Sequence, residues 1–173
     1  LTGFEIPVNI PVMKKFQDHT LSEYCEVLSQ KLPTPGGGSA AALSAALGAA
    51  LISMVVNYSL GKKTPDIDVK LTEILVKSEK LRKRFLELVD LDAEAYLAFI
   101  KARKADEKTR EEAKKRACDV PLEIAKLCYE AIDLTPYLVL EGNKFLVSDV
   151  EVALELLGAA FKSAMFNVRI NQS

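Results

Sequence analysis

The 173-residue chain has no tryptophan, one histidine, three cysteines, eight glycines and seven prolines, and its charges nearly cancel. Each scarcity closes a class of chemistry. A single imidazole, His19, rules out a histidine-rich metal site and permits a Ser/His or Cys/His nucleophile system only if it is itself the base. Cys25, Cys118 and Cys128 are odd in number and match no CxxC or zinc-knuckle spacing, which predicts reduced thiols, no metal site and a cytoplasmic protein. With 23 Lys plus Arg against 24 Asp plus Glu, the chain offers a phosphate backbone no net attraction, so nucleic acid is not an expected partner. Pro7 and Pro11 interrupt the one apolar stretch near the N-terminus, which argues against a signal peptide. Proton chemistry is left to carboxylates, lysines and tyrosines.

What the chain has in abundance is helix-forming residue types. Twenty alanines and twenty-four leucines make up a quarter of it, and few glycines and prolines punctuate them, so the expected fold is all-α, an antiparallel bundle of about five long helices in a single domain over residues 1–173. An irregular lead over residues 1–18 precedes Thr20-Leu21-Ser22-Glu23, which reads as a capping box opening a helix to about Gln30. A second helix is expected from Ser39 to about Ser59, closed by Gly61 with Lys62 and Lys63 at its negative dipole end. Thr64-Pro65 opens a third, to about Ala105. A fourth spans Thr109 to Ile132 with Pro121 as a kink or break. Pro136 and Gly142 bound a short connection, and Ser148-Asp149 caps a last helix to about Ile170.

Ala40 to Val56 is uncharged and nearly long enough to span a bilayer, with Ala40, Ser44 and Gly48 forming a small-residue ridge. Its alanine content, Ser44, Ser53 and Asn57, and the lack of a second such segment favour a buried central helix over membrane insertion. Small side chains there let neighbouring backbones approach closely.

Three positions stand out chemically. Gly36, Gly37 and Gly38 directly precede this helix and free its N-terminal N–H groups for an anion or a carbonyl oxygen, although a turn that only redirects the chain fits equally well. The loop lacks a P-loop lysine, so no nucleotide site is implied. In the third helix Leu71, Ile74, Leu81, Phe85, Leu88, Ala95 and Phe99 form a core stripe whose missing slots are Ser78 and Asp92. Asp92 is thus a carboxylate on an apolar face, either pairing a buried donor or walling a ligand cavity. Glu87, Asp90 and Glu94 lie off this seam and are expected in solvent. In the last helix Ala153, Ala160, Ala164, Asn167 and Asn171 share a face, where the two amides either read a heterocycle edge or bridge buried backbone. The basic clusters Arg82 to Arg84, Lys101 to Lys104 and Lys114 to Arg116 read as solvated helix faces.

Seven ordered segments carry a resemblance: Pro33-Thr-Pro-Gly-Gly-Gly-Ser-Ala-Ala-Ala-Leu, Gly48-Ala-Ala-Leu, Asp92-Ala-Glu-Ala-Tyr96, Val120-Pro-Leu, Gly142-Asn, Ser148-Asp and Asn167-Val-Arg-Ile-Asn171. Between Leu21 and Asn171 the chain resembles the cyclodeaminase/cyclohydrolase family, which acts on folate one-carbon units. The resemblance implies an all-α homodimer or larger assembly with a folate site near the subunit interface, and no cofactor beyond the tetrahydrofolate substrate, which can be polyglutamylated. It implies methenyltetrahydrofolate cyclohydrolase activity, with formimidoyltetrahydrofolate cyclodeaminase as the alternative. Asp92 matches the aspartate of the family's D-x-x-A-[FY] segment; Pro35, Gly36, Gly37, Gly38 and Ser39 match its glycine motif; Asn143, Asp149, Asn167 and Asn171 match its C-terminal polar positions. On this reading Asp92 is base and cation stabiliser, the glycine N–H groups with Asn167 and Asn171 hold the pterin or its tail, and Lys62 and Lys63 attract the glutamate carboxylates. Family members carry roughly one more helix after the last motif, so either the chain is truncated at Ser173 or its site is less enclosed. A non-catalytic helical interaction module and a membrane-associated helical protein are the rivals from other classes.

Overall fold

A computed structural model describes residues 14–172, so most of the lead expected over residues 1–18, with Pro7 and Pro11, lies outside the described residues. The described part of that lead forms a 3-10 turn at Phe16–Asp18. Thr20 then caps α1 (Leu21–Ser29): its hydroxyl accepts from the Glu23 N–H at 3.2 Å, and the Glu23 carboxylate accepts from the Thr20 N–H at 2.7 Å. Four long helices follow, α2 (Gly37–Ser59), α3 (Pro65–Ala102), α4 (Glu107–Ile132) and α6 (Val147–Gln172), with the short α5 (Thr135–Glu141) between the last two. Among the described residues there is no strand, and the expected all-α architecture holds.

Cross-helix contacts set the packing. Gly38 at the start of α2 meets Asp92 near the end of α3, and the Ser53 and Ser78 hydroxyls lie 2.8 Å apart midway. At the far end the Gly61 N–H donates to both Asp68 oxygens at 3.2 Å. The two helices are therefore antiparallel, joined by a turn in which Gly61 has φ +73, a conformation glycine adopts without steric cost. Helix α4 runs antiparallel to α3, and Arg84 forks onto the Glu123 carboxylate at 2.7 and 3.0 Å. Arg84 thus belongs to an interhelical ion pair, not to the solvated face expected of its basic cluster. Helix α6 returns along α2, close enough that a Cβ on Gly48 would stand 2.7 Å from the Leu157 side chain and 3.1 Å from the Ala153 carbonyl.

The alanine-rich α2 occupies the centre, packed against α3, α4 and α6, and thirteen of its 23 residues are buried. By length and composition it could cross a membrane, yet its small faces serve as the meeting surface of three helices.

Several boundaries differ from the expectation. Helix α2 begins at Gly37, not Ser39, so two of the three glycines are helical. The stretch expected as a connection between Pro136 and Gly142 is α5, because a proline fits the first turn of a helix. Helix α6 starts at Val147, placing Ser148 and Asp149 inside its first turn, while Asn143 caps the preceding 3-10 turn by accepting from the Phe145 N–H at 3.0 Å. Helix α4 continues through Pro121 without a break. A proline removes the N–H that would bond the carbonyl four residues earlier, here Ala117. The Asn171 side-chain amide of α6 supplies that hydrogen bond instead, at 2.6 Å.

Candidate active site

The chain enters α2 through Thr34-Pro35, a cis peptide with both residues buried, and Gly36 stands at the N-cap. The first intrahelical bond of α2 runs from the Ala40 N–H to the Gly36 carbonyl, so the N–H groups of Gly37, Gly38 and Ser39 have no partner within the helix. Helix α3 lays Asp92 across this open end. A Cβ at position 38 would overlap the Asp92 carboxylate, so any larger residue there must displace that side chain. A methyl group added at Gly36 or Gly37 would meet nothing within 4 Å, and this side of the loop stays open for a ligand.

Asp92 is partly buried, and desolvation pushes its pKa up to about 6 against the opposing hydrogen bond from the Ser39 N–H. Ser39 is fully buried, and its hydroxyl lies 3.0 Å from that of Tyr24, itself buried. Burial raises the Tyr24 pKa, the Ser39 hydrogen bond opposes the rise, and the negative charge of Asp92 adds to it. The phenol is therefore neutral at ordinary pH and braces the first turn of α2 through the Ser39 hydroxyl. Tyr24 is the one buried residue of α1, a lone core position that sequence periodicity did not distinguish.

Beside Asp92 lies a cavity of about 280 Å³. Gly36, Gly37 and Gly38 line one wall, with Pro33 and Thr34 before them; Ala95 and Tyr96 of α3 and Ala117 of α4 line another. Asn167, Ile170 and Asn171 close it from α6. Asp92 is the one charged residue in this lining. Asn167 donates from its amide nitrogen to the Ser163 carbonyl at 3.2 Å, which leaves its carbonyl oxygen for the cavity. Asn171 has the structural bond to Ala117 described above, so the two readings of these amides merge: each bonds backbone while lining the cavity.

Asp90, two residues before Asp92, is buried rather than solvated. Its carboxylate accepts from the Phe16 N–H at 2.6 Å and the Gln17 N–H at 3.4 Å, tying the 3-10 turn to α3. The narrow heptad seam missed it because α3 buries a broader face that includes Val89, Asp90 and Ala93.

The remaining sequence candidates gather elsewhere. Lys62 and Lys63 follow the C-terminal end of α2, roughly 33 Å along the helix from its glycines at 1.5 Å per residue. Lys62 caps that end by donating to the Tyr58 carbonyl at 3.0 Å, and Lys63 lies in a depression with Asp68 and Glu73. Asn143 donates from its backbone to the Ser59 hydroxyl at 2.8 Å, and Asp149 sits in the nearby first turn of α6. Within one chain these four do not reach the cavity. Of the thiols, Cys25 is exposed, and buried Cys128 has its pKa pushed up to about 12 by desolvation. Among the described residues no group of three or more His, Cys, Asp or Glu could hold a metal ion.

Residues 20–173 match the family model described as formiminotransferase-cyclodeaminase. The chain is 38% identical over 165 residues to methenyltetrahydrofolate cyclohydrolase of Methylorubrum extorquens, covering 89% of this chain and 79% of that protein. It is 33% identical over 165 residues to formimidoyltransferase-cyclodeaminase of Mus musculus, there covering 30% of the relative's length. Among solved structures, formiminotetrahydrofolate cyclodeaminase of Thermotoga maritima superposes with a TM-score of 0.87 at 31% identity, over 90% of this chain and 79% of that one. With the family's pattern running from the cap of α1 to the end of α6, the chain belongs to the formiminotransferase-cyclodeaminase family.

Proposed function

We propose that the protein is a methenyltetrahydrofolate cyclohydrolase, converting 5,10-methenyltetrahydrofolate and water to 10-formyltetrahydrofolate. The observation that carries this reading is the lone carboxylate of Asp92 in an otherwise uncharged cavity, its pKa raised to about 6. A group with that pKa is mostly ionised at neutral pH yet close enough to it to take and return a proton. The substrate's reacting carbon is part of a cationic amidinium, which an anion in a poorly solvated wall stabilises. As water adds to that carbon, Asp92 takes one of its protons. The carbon–N5 bond then breaks as the formyl C=O forms, Asp92 returns its proton to N5, and the second water proton leaves to solvent. The open N–H groups of Gly37 and Gly38 are suited to hold a carbonyl oxygen of the pterin, and the Asn167 and Asn171 oxygens a donor edge.

The Thermotoga maritima likeness favours a second reading, cyclodeamination of formimidoyltetrahydrofolate. There N10 attacks the formimino carbon and ammonia departs, and Asp92 would take the N10 proton and pass it to the leaving nitrogen. Absorbance in the methenyl band decides between them: the cyclohydrolase bleaches methenyltetrahydrofolate, whereas the cyclodeaminase generates it from the formimidoyl compound. If purified protein does neither, both readings fail. No cofactor beyond the folate enters either reaction. A cytoplasmic location is supported by the three unpaired cysteines, and a homodimer by Leu43, Leu47, Leu51, Met54 and Tyr58, an incompletely covered apolar stripe along α2.

A further inference from the structure

We infer that the groove between the C-terminal end of α3 and the N-terminal end of α4 binds the anionic glutamate tail of the substrate, through Arg103, Arg110 and Lys114. The inference rests on a tetrahydrofolate occupying the Asp92 cavity. That cavity offers no cation, and its one charge repels a carboxylate, so the tail must leave it. The exit is visible in the helix register. Tyr96 and Ala117 line the cavity, and three residues on in α3 and three back in the antiparallel α4, Phe99 and Lys114 line a second hollow of about 310 Å³. One helical turn separates the two hollows on both walls, so they form one track.

The track changes character in the order a folate does. Phe99 and Ala102 give it an apolar floor suited to the p-aminobenzoyl ring, and Arg103, Arg110, Lys114 and Glu111 complete a lining with two net positive charges. Arg103 lies 5.7 Å over the Phe99 ring, which holds its guanidinium at the floor's edge. None of the three cations takes part in an ion pair among the described residues, in contrast to Arg82, Arg84 and Arg116 on the same two helices.

Reach agrees. Arg103 is eleven residues beyond Asp92, roughly 16 Å along α3. About ten bonds separate N10 from the first glutamate side-chain carboxylate, on the order of 12 Å at their projected lengths, and further γ-linked residues continue past it. Lys62 and Lys63 are more than twice as far away along α2, and Lys62 is already engaged as a helix cap.

The test compares methenyltetrahydropteroyl-tri-γ-glutamate with methenyltetrahydropteroate, which lacks the tail, in the wild type, in an Arg103→Glu/Arg110→Glu variant and in a Lys62→Glu/Lys63→Glu variant. The expected result is a KM for the triglutamate raised about tenfold in the groove variant, with a much smaller change for the tail-free substrate and little change in the lysine variant. Unfolding temperatures confirm that the exposed substitutions leave the fold intact. Equal KM values for the triglutamate in wild type and groove variant, or a rise confined to the lysine variant, overturn the assignment while turnover of the substrate keeps the cyclohydrolase reading. Absence of turnover by the wild type on either substrate removes the reading on which the assignment rests.

Discussion

Asn171 supplies to the Ala117 carbonyl the hydrogen bond that Pro121 withholds. The two residues sit on different helices and never touch through this bond, yet each makes sense of the other: the proline leaves a carbonyl orphaned in α4, and the amide of α6 fills it at 2.6 Å. Because Ala117 and Asn171 both line the Asp92 cavity, the repair also fixes one of its walls. Asn171→Ala is expected to cost about 1–2 kcal/mol, the penalty for an unsatisfied buried acceptor. Pro121→Ala restores an N–H donor, so the double variant should lose less than Asn171→Ala alone. Urea unfolding of the four-member cycle measures this, and strict additivity would show the two sites to be unrelated.

Gly38→Ala should remove activity and lower stability, since the new methyl would overlap the Asp92 carboxylate and displace it from the Ser39 N–H. Gly37→Ala meets open space and replaces glycine in a helix by its best former, so its unfolding temperature should hold or rise slightly. Paired melting curves and steady-state rates distinguish the two.

Asp92→Asn should abolish turnover and stabilise the protein at neutral pH. The folded pKa of about 6 exceeds the ordinary value of 3.8, so the native state holds more protons than the unfolded one between those values, and stability falls as pH rises through that window. At pH 7 the ionised carboxylate then costs roughly 2 kcal/mol after allowance for solvent screening, and the amide removes that cost. Chemical denaturation at pH 7.5 should show the gain, and at pH 4 it should have nearly vanished.

The same titration governs the rate. If Asp92 acts as base, kcat/KM of the free enzyme should fall about tenfold per pH unit below 6 and level off above it. A limb that Asp92→Glu fails to shift would assign the titration to another group.

Asp90→Ala should destabilise by about 2 kcal/mol or more, because it leaves the buried Phe16 N–H without an acceptor and releases the 3-10 turn from α3. Amide exchange at Phe16 and Gln17 reports the loss directly.

The contrast between Asp90 and Asp92 shows what the sequence could and could not disclose. Asp92 was legible because it interrupts a regular apolar series, as was Ser78, which turns out to pair with Ser53. Asp90 was not, since its partners are backbone N–H groups more than seventy residues away and leave no trace in local periodicity. Helix types and order follow from composition and caps, and the glycine run lies at the head of α2, two of its residues inside the helix and not before it. Within one chain Lys62 and Lys63 lie at the opposite end of α2 from the glycines, because sequence proximity to a helix says nothing about which of its ends the cavity occupies. Arg103 and Lys114 are exposed, as expected of their basic clusters, and only the α3–α4 register brings them to the same hollow.

The close seating of Gly48 against Leu157 and the Ala153 carbonyl has a mechanical consequence. Helix α2 works as a rod clamped at its midpoint, with Gly38 set against Asp92 at one tip. Any side chain added at position 48 must tilt the rod, and a small rotation there, about 15 Å from Gly38, is amplified into a displacement of the glycine N–H groups relative to Asp92. Substitutions at this buried glycine should therefore be felt in turnover before they are felt in cooperativity of unfolding, although no atom of the residue reaches the ligand.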